Sequence, residues 1–337
     1  MRFKIFSRTH AIFIVFILPA LFAASCGKKE VATTIPQDKV TVQLSWFHSA
    51  EFIGFYVADQ LGYYANENLD VTLLAGGPEI DPVAAVVADT AQIGVTSGDS
   101  ILRAQSGGQD LIAISSIFRK SPLMIMTLSN SGITSPQDLT GKTVGVVSTG
   151  LDTTWDIQFI AMLKKTGIDP NGIKFVPNEE FHGAADLHTG RMDASSGTFS
   201  TNELVQAKID GEDVVSIYYG DYGVEFYNNV IFTKAQLTAD NPKLVQRFIR
   251  ATLQGYQYAI EHSKEAAALT IKYDETLDVA FQQATIEAQI PLIDTGDARP
   301  GWMDDHIWVN TQTILLDQGY IISPVDLSKA YTNEFIK

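Results

Sequence analysis

Cysteine is almost absent: the 337-residue sequence has one, Cys26. That excludes a disulfide scaffold and a thiolate-bound metal cluster, so the core must be stabilised by burial alone, which a chain of this length can manage. Histidine is scarce too. His10, His48, His182, His188, His262 and His306 show no His-x-x-x-His or His-x-x-Glu-His spacing, and we expect neither a metal site nor a bound cofactor. Basic residues are the minority, 24 against 39 acidic, for a net charge of −15. Nothing in such a chain offsets phosphate repulsion, which excludes nucleic acid as a partner. There is no Gly-x-Ser-x-Gly elbow. Gly141-Lys142-Thr143 imitates the end of a phosphate loop, but Pro136 stands where that loop's first glycine belongs, and the tripeptide precedes a strand instead of following one.

Long hydrophobic runs are limited to one, near the start. Residues 1–10 carry positive charge, Ala11–Phe22 is apolar with a break at Pro19, and Ala23-Ala24-Ser25 are small, the three-part layout of a secretory signal. The run is roughly 15 residues against the ~20 of a membrane-crossing helix, so residues 1–25 read as a signal peptide. Cys26 follows directly and resembles the lipobox cysteine of bacterial lipoproteins, with Ala23 where that pattern prefers Leu. The resemblance implies lipidation at Cys26 and a membrane anchor, with residues 26–38 as a tether lacking periodicity.

What is present is ordinary globular composition, 45% hydrophobic and 19% charged, long enough for about two domains. From Val40 short β-branched runs alternate with amphipathic ones: strands at Val40–Leu44, Val71–Leu74, Ile93–Thr96 and Leu111–Ile117, with helices between them. Repeated β-α-β units predict an α/β fold with mostly parallel sheets flanked by helices. A second series opens at Thr143–Val147. After Lys234 the pattern is almost wholly helical, and these helices are expected to cover the first domain. We expect a discontinuous first domain, 39–128 plus 230–337, a second domain, 129–229, and crossings near Ile125–Leu128 and Asn229–Phe232. Ligands on such sheets bind beyond the carboxyl ends of strands.

The candidate binding residues lie in those loops. Leu44–Phe52 brings Trp46, Phe47, His48 and Phe52 out of the first strand, and Trp46 is either a ring-stacking platform or a core residue sealing the first helix. Ser97 and Asp99 follow the third strand, as helix caps or as ligand contacts. Phe118 follows the fourth. Thr149 and Asp152 repeat the arrangement in the second domain, where a helix N-terminus favours an acceptor or anion. Tyr222, Glu225 and Phe226 precede the second crossing and would close the cleft, or form a solvent-facing turn.

Leu44-Ser45-Trp46, Gly54-Phe55-Tyr56-Val57-Ala58, Gly62-Tyr63-Tyr64, Asn68-Leu69-Asp70-Val71, Gly76-Gly77-Pro78, Ile93-Gly94-Val95 and Asp138-Leu139-x-Gly141-Lys142-x-Val144-Gly145-Val146 together resemble the solute-binding proteins of ABC importers in the thiamine-pyrimidine, sulfonate and nitrate group. The resemblance covers about residues 40–260. It implies a type II periplasmic-binding-protein fold that closes on a small-molecule ligand by hinge motion. It also implies a monomeric, extracytoplasmic lipoprotein that hands its ligand to a permease and ATPase. Trp46 and the Gly-Gly-Pro turn look most similar to members that bind flat heterocycles, a hydroxymethylpyrimidine-type thiamine precursor or riboflavin. Sulfonate or nitrate members would instead lean on Thr149. The family also holds pyrimidine synthases that use a lysine, a histidine and several cysteines. Thr96 and Ser100 occupy the lysine and histidine positions here, so no enzyme activity is expected.

Overall fold

The computed structural model describes residues 36–148, 151, 153–178 and 183–336. The signal segment, Cys26, most of the tether, Thr149 and Asp152 lie outside the described residues. Among the described residues, ten strands, β1(Asp38–Gln43), β2(Leu69–Leu74), β3(Ile93–Thr96), β4(Leu111–Phe118), β5(Leu123–Leu128), β6(Thr143–Val146), β7(Lys174–Pro177), β8(Ala194–Phe199), β9(Val214–Tyr218) and β10(Asn228–Lys234), form two five-stranded sheets. The orders are β2-β1-β3-β10-β4 and β7-β6-β8-β5-β9. The helices are α1(Ile53–Gln60), α2(Tyr63–Asn66), α3(Pro82–Val87), α4(Gly98–Ser106), α5(Thr154–Lys165), α6(Ala184–His188), α7(Glu203–Ile209), α8(Ala235–Asp240), α9(Pro242–Glu261), α10(Ser263–Thr270), α11(Val279–Ile293), α12(Asp305–Gln318) and α13(Leu327–Ala330). Among the described residues, no helix is long and apolar enough to cross a membrane.

The sheets are mixed in one regular way. In the first, β10 runs antiparallel to both β3 and β4; in the second, β5 runs antiparallel to both β8 and β9. The reversed strand of each sheet is the one that arrives from the other. This corrects the expected boundary: Leu123–Leu128 pairs in the second sheet, and Asn229–Phe232 lies inside the first. The crossings are the segments before them, 119–122 and 219–227. The physical reason is period-two burial in β5, where Leu123 and Ile125 enter one cluster and Met124 and Met126 another. A strand buried on both faces belongs in a sheet interior.

Each face of the first sheet is covered. Val40, Val42, Ile93, Val95 and Ile231 pack with α1, α9 and α11. On the other face Ala113, Val230 and Phe232 join α3, α4 and α12. The C-terminal helices do not confine themselves to the first sheet. Just past α12, Tyr320 Oη donates to Leu151 O (2.7 Å), Gln318 Nε2 donates to Ile157 O (3.2 Å), and α11 packs on α7. The first crossing begins at the buried Arg119, whose guanidinium donates to Trp302 O (3.1 Å) and Asp304 (2.7 Å) and pairs with Asp297. Those bonds fix the 294–304 segment against the end of β4.

Candidate functional site

The carboxyl ends of the parallel strands bring one loop from each sheet into contact. On the first edge, Gly76 N donates to Trp46 O (2.8 Å), and a Cβ on Gly76 would stand 2.4 Å from Leu44 O and 2.5 Å from Trp46 N. Gly77, at φ +150°, lies against the Phe47 ring, where a Cβ would come within 3.0 Å. Only glycine allows this approach. It holds Trp46 partly buried and Phe47 54% exposed. Trp46 then meets Phe47 edge-on at 5.4 Å and Trp155 at 5.9 Å and 70°, while Trp155 meets Phe199 at 5.9 Å and 85°. Four rings thus run from the first edge, through the first turn of α5, to the end of β8.

The second edge is organised by Asp156, which is fully buried. Its carboxylate accepts from Val147 N (3.2 Å), Ser148 N (3.0 Å) and Thr153 Oγ1 (2.6 Å). Burial nevertheless raises its pKa, against those hydrogen bonds. Two amides just past the end of β6 are therefore already committed to a carboxylate of the protein's own.

A polar group adjoins the end of β8. Glu51 lies in the 3-10 turn Ala50–Phe52, whose first residue is clamped by α11: Ala50 N donates to Gln282 Oε1 (2.6 Å) and Ala50 O accepts from Gln289 Nε2 (3.0 Å). Burial pushes the Glu51 carboxyl up to about 7; Asn229 opposes this and the charge of Glu203 adds to it. Glu203, at the start of α7, accepts from Phe199 N (2.6 Å), and burial raises its carboxyl as well. Asn229 is buried at φ +52°, a left-handed conformation at the entry to β10.

The residues singled out in the sequence are dispersed. Trp46 meets the second edge at Trp155, whereas Phe47 stays on the first, against Trp46 and Gly77. His48 turns aside, with Nδ1 3.0 Å from Tyr56 Oη and its ring against Tyr273, and burial lowers its pKa. Phe52, Phe118 and Phe226 are core rings, 0%, 0% and 1% exposed. Ser97 N-caps α4 with its Oγ 3.0 Å from Ser100 Oγ, and Asp99 is wholly buried in that helix's first turn. Tyr222 is half-buried against the core, and Glu225 is exposed, 3.9 Å from His306 on α12. Thr149 and Asp152 lie outside the described residues. Sequence reasoning passed over Trp155, Phe199, Glu203 and Asn229. Trp155 carried a signal, an aromatic in the first turn of the helix after a strand-end loop; the other three carried none. Among the described residues, no group of three or more His, Cys, Asp or Glu is placed to hold a metal ion.

Two mixed sheets with helices on their faces, meeting at their strand ends, define the periplasmic-binding-protein fold. The periplasmic aliphatic sulphonate binding protein SsuA from Escherichia coli superposes with a TM-score of 0.67 at 14% identity, covering 87% of this chain and 91% of that one. The chain belongs to the NMT1/THI5 like family, whose pattern matches residues 49–266. It is similar to the riboflavin-binding protein RibY of Chloroflexus aurantiacus, 25% identical over 94% of this chain and 91% of that protein. It is also similar to a formylaminopyrimidine-binding protein of Halalkalibacterium halodurans, 26% identical over 90% and 96%. A third relative is a 4-amino-5-hydroxymethyl-2-methylpyrimidine phosphate synthase of Legionella pneumophila, 25% identical over 89% and 93%.

Proposed function

We propose that this protein is an extracytoplasmic solute-binding protein of an ABC importer, which holds a small flat heterocycle beside Trp46 and Trp155 and delivers it to a permease. The observation that carries this reading is the edge-on contact between these two rings at 5.9 Å, one on a loop leaving the first sheet and one on the helix that follows β6 of the second, which sets two aromatic faces together at the strand ends. The ligand is a thiamine pyrimidine precursor, with riboflavin second, consistent with what the two binding-protein relatives are named for. A sulfonate or nitrate would draw on backbone amides between β6 and α5, and there Asp156 already takes those of Val147 and Ser148 with a carboxylate. A synthase would need the lysine and histidine whose family positions hold Thr96 and Ser100, so we assign no catalysis. Lipidation at Cys26 would keep the protein at the membrane, where Cys26→Ser should release it into the soluble fraction.

The test is calorimetric titration of the purified protein with 4-amino-5-hydroxymethyl-2-methylpyrimidine, riboflavin, taurine and nitrate, with mass spectrometry of any co-purifying ligand. Tight binding of one of the heterocycles is expected. Tight binding of taurine or nitrate, unchanged in Trp46→Ala, would overturn the assignment.

A further inference from the structure

Helix α12 joins the second crossing to the second aromatic wall. At its start, Asn310 Nδ2 donates to Gly223 O (3.1 Å) and Thr311 Oγ1 donates to Glu225 O (3.4 Å). Along its length it is anchored in the first domain, where it packs on α4 and buries Trp308, Ile314 and Leu315. The helix ends at Gly319, whose φ of +77° is left-handed, and Tyr320 N donates back to Leu315 O (2.9 Å). Such a closure fixes the direction in which the next side chain leaves. The Tyr320 ring is held as well, with the Arg103 guanidinium of α4 5.8 Å from its centroid and the buried Ile321 next in the chain.

From that platform two side chains reach the segment that carries Trp155. Tyr320 Oη donates to Leu151 O (2.7 Å), and Gln318 Nε2 donates to Ile157 O (3.2 Å). One carbonyl lies four residues before Trp155 and the other two after it, so the ring is bracketed. Leu151 stands at φ +56°, a left-handed conformation that leucine rarely adopts, and its surroundings must hold it there. Its own N–H helps by donating to Ser148 O (2.9 Å), and Tyr320 holds its carbonyl. Both bonds from α12 are neutral, so they restrain the wall without freezing it.

We propose that Tyr320, assisted by Gln318, is a positioning residue for ligand binding, which sets the place of Trp155 against Trp46 from the first domain. This rests on the heterocycle reading above. Because α12 also bonds to Gly223 and Glu225, bending of the second crossing and the placement of Trp155 are coupled through one helix.

The test uses the full-length protein labelled with 5-fluorotryptophan, whose four resonances, from Trp46, Trp155, Trp302 and Trp308, are assigned by single replacements with phenylalanine. Tyr320→Phe keeps the ring under Arg103 and removes only the hydroxyl. Without ligand it should move or broaden the Trp155 resonance and leave that of Trp302 in place. Calorimetry with 4-amino-5-hydroxymethyl-2-methylpyrimidine and with riboflavin should show a loss of about fivefold in Tyr320→Phe and about twofold in Gln318→Leu, each below the loss in Trp155→Ala. In a Trp155→Ala background, Tyr320→Phe should cost less than about 1.5-fold more, since a positioning residue has nothing left to position. Equal losses with and without Trp155 would overturn the proposal. So would a lower melting temperature with wild-type affinity and an unmoved Trp155 resonance, the mark of a purely structural tyrosine. No heterocycle binding by wild type would overturn the parent reading, and the ligand-free spectra would still decide whether α12 holds Trp155.

Discussion

Trp46 and Trp155 touch each other, yet the two are held differently. The Trp46 loop is locked by main chain: its carbonyl accepts from Gly76, and the backbone of residues 44–46 approaches Gly76 so closely that a Cβ would overlap three of its atoms. Trp155 rides on the first turn of α5, positioned by Thr153 as N-cap and by the buried carboxylate of Asp156. Behind it stands Gly197, whose neighbours are side chains, Val147 and Trp155 itself. Main chain cannot rotate out of the way, and side chains can. The first edge is therefore a fixed wall and the second an adjustable one, which suits a cleft that must close on ligand and release it.

The largest effect should come from breaking the fixed wall. Gly76→Ala puts a methyl 2.4 Å from Leu44 O and from the Ser45 carbonyl carbon, so the two loops must separate and the Gly76–Trp46 hydrogen bond goes with them. Stability should fall by about 3 kcal/mol, and affinity for the heterocycle by more than about tenfold, because Trp46 is displaced. Urea denaturation and calorimetry on the same variant measure both. A loss below about 1 kcal/mol would mean that the first edge yields as readily as the second.

Removing the rings themselves comes next. Trp46→Ala should lose about 2–3 kcal/mol of binding, roughly 30- to 150-fold, with Trp46→Phe milder. Trp155→Ala should lose less, about tenfold, because the adjustable wall can close part of the gap. If Trp46 only seals the core, its Ala variant will melt lower while keeping near-normal affinity, and the comparison collapses.

The same difference explains what could be read from the sequence. The first edge was legible because its parts are contiguous: Trp46 and Phe47 follow a strand directly, and Gly76-Gly77 follows the neighbouring one. Parallel pairing of β1 with β2 puts those two loops side by side. The second edge is assembled from Trp155 on α5 and from Phe199 and Glu203 at the junction of β8 and α7, two segments far apart in the chain that meet only through tertiary packing. The β-α alternation and the C-terminal helices were legible from periodicity. The membership of β5 was not, since a short apolar run buried on both faces reads the same in either sheet. Phe52, Phe118 and Phe226 stood at strand and helix ends as expected, but their rings turn into the core, a choice of side-chain direction that spacing does not record.

Glu51 and Glu203 straddle the two edges and give a pH test. The Glu51 carboxyl titrates near 7 in the folded protein, above its ordinary value of 4.5, chiefly through burial. Between those pH values the native state binds more protons than the unfolded chain, so stability must fall as pH rises through that window and then level off. Glu203, raised by burial, acts in the same direction. Glu51→Gln should therefore shrink the loss of stability between about pH 5 and pH 8 by about 2 kcal/mol, and it should be the more stable protein at the upper end. Urea midpoints at the two pH values decide this. An unchanged difference would show that Glu51 is hydrated and that the polar end is open to water.

The smallest effect is expected at Gly197, the counterpart of Gly76 on the adjustable wall. Its φ of +72° is left-handed, and alanine there costs about 1 kcal/mol from backbone conformation alone. The added methyl would stand 2.9 Å from Val147 Cγ2 and 3.4 Å from Trp155 Cβ. A change of Val147 rotamer relieves the first contact, and a small tilt of α5 relieves the second. The bond from Gly197 N to Tyr219 Oη (2.9 Å) does not involve the new atom. Gly197→Ala should thus lose about 1–2 kcal/mol of stability and no more than about threefold in affinity, since Trp155 moves by tenths of an ångström and keeps its face toward the ligand. Equal damage from Gly197→Ala and Gly76→Ala in the same urea and calorimetry measurements would show both walls to be rigid. Closure would then have to come entirely from bending at 119–122 and 219–227, the two segments by which the chain crosses between the sheets.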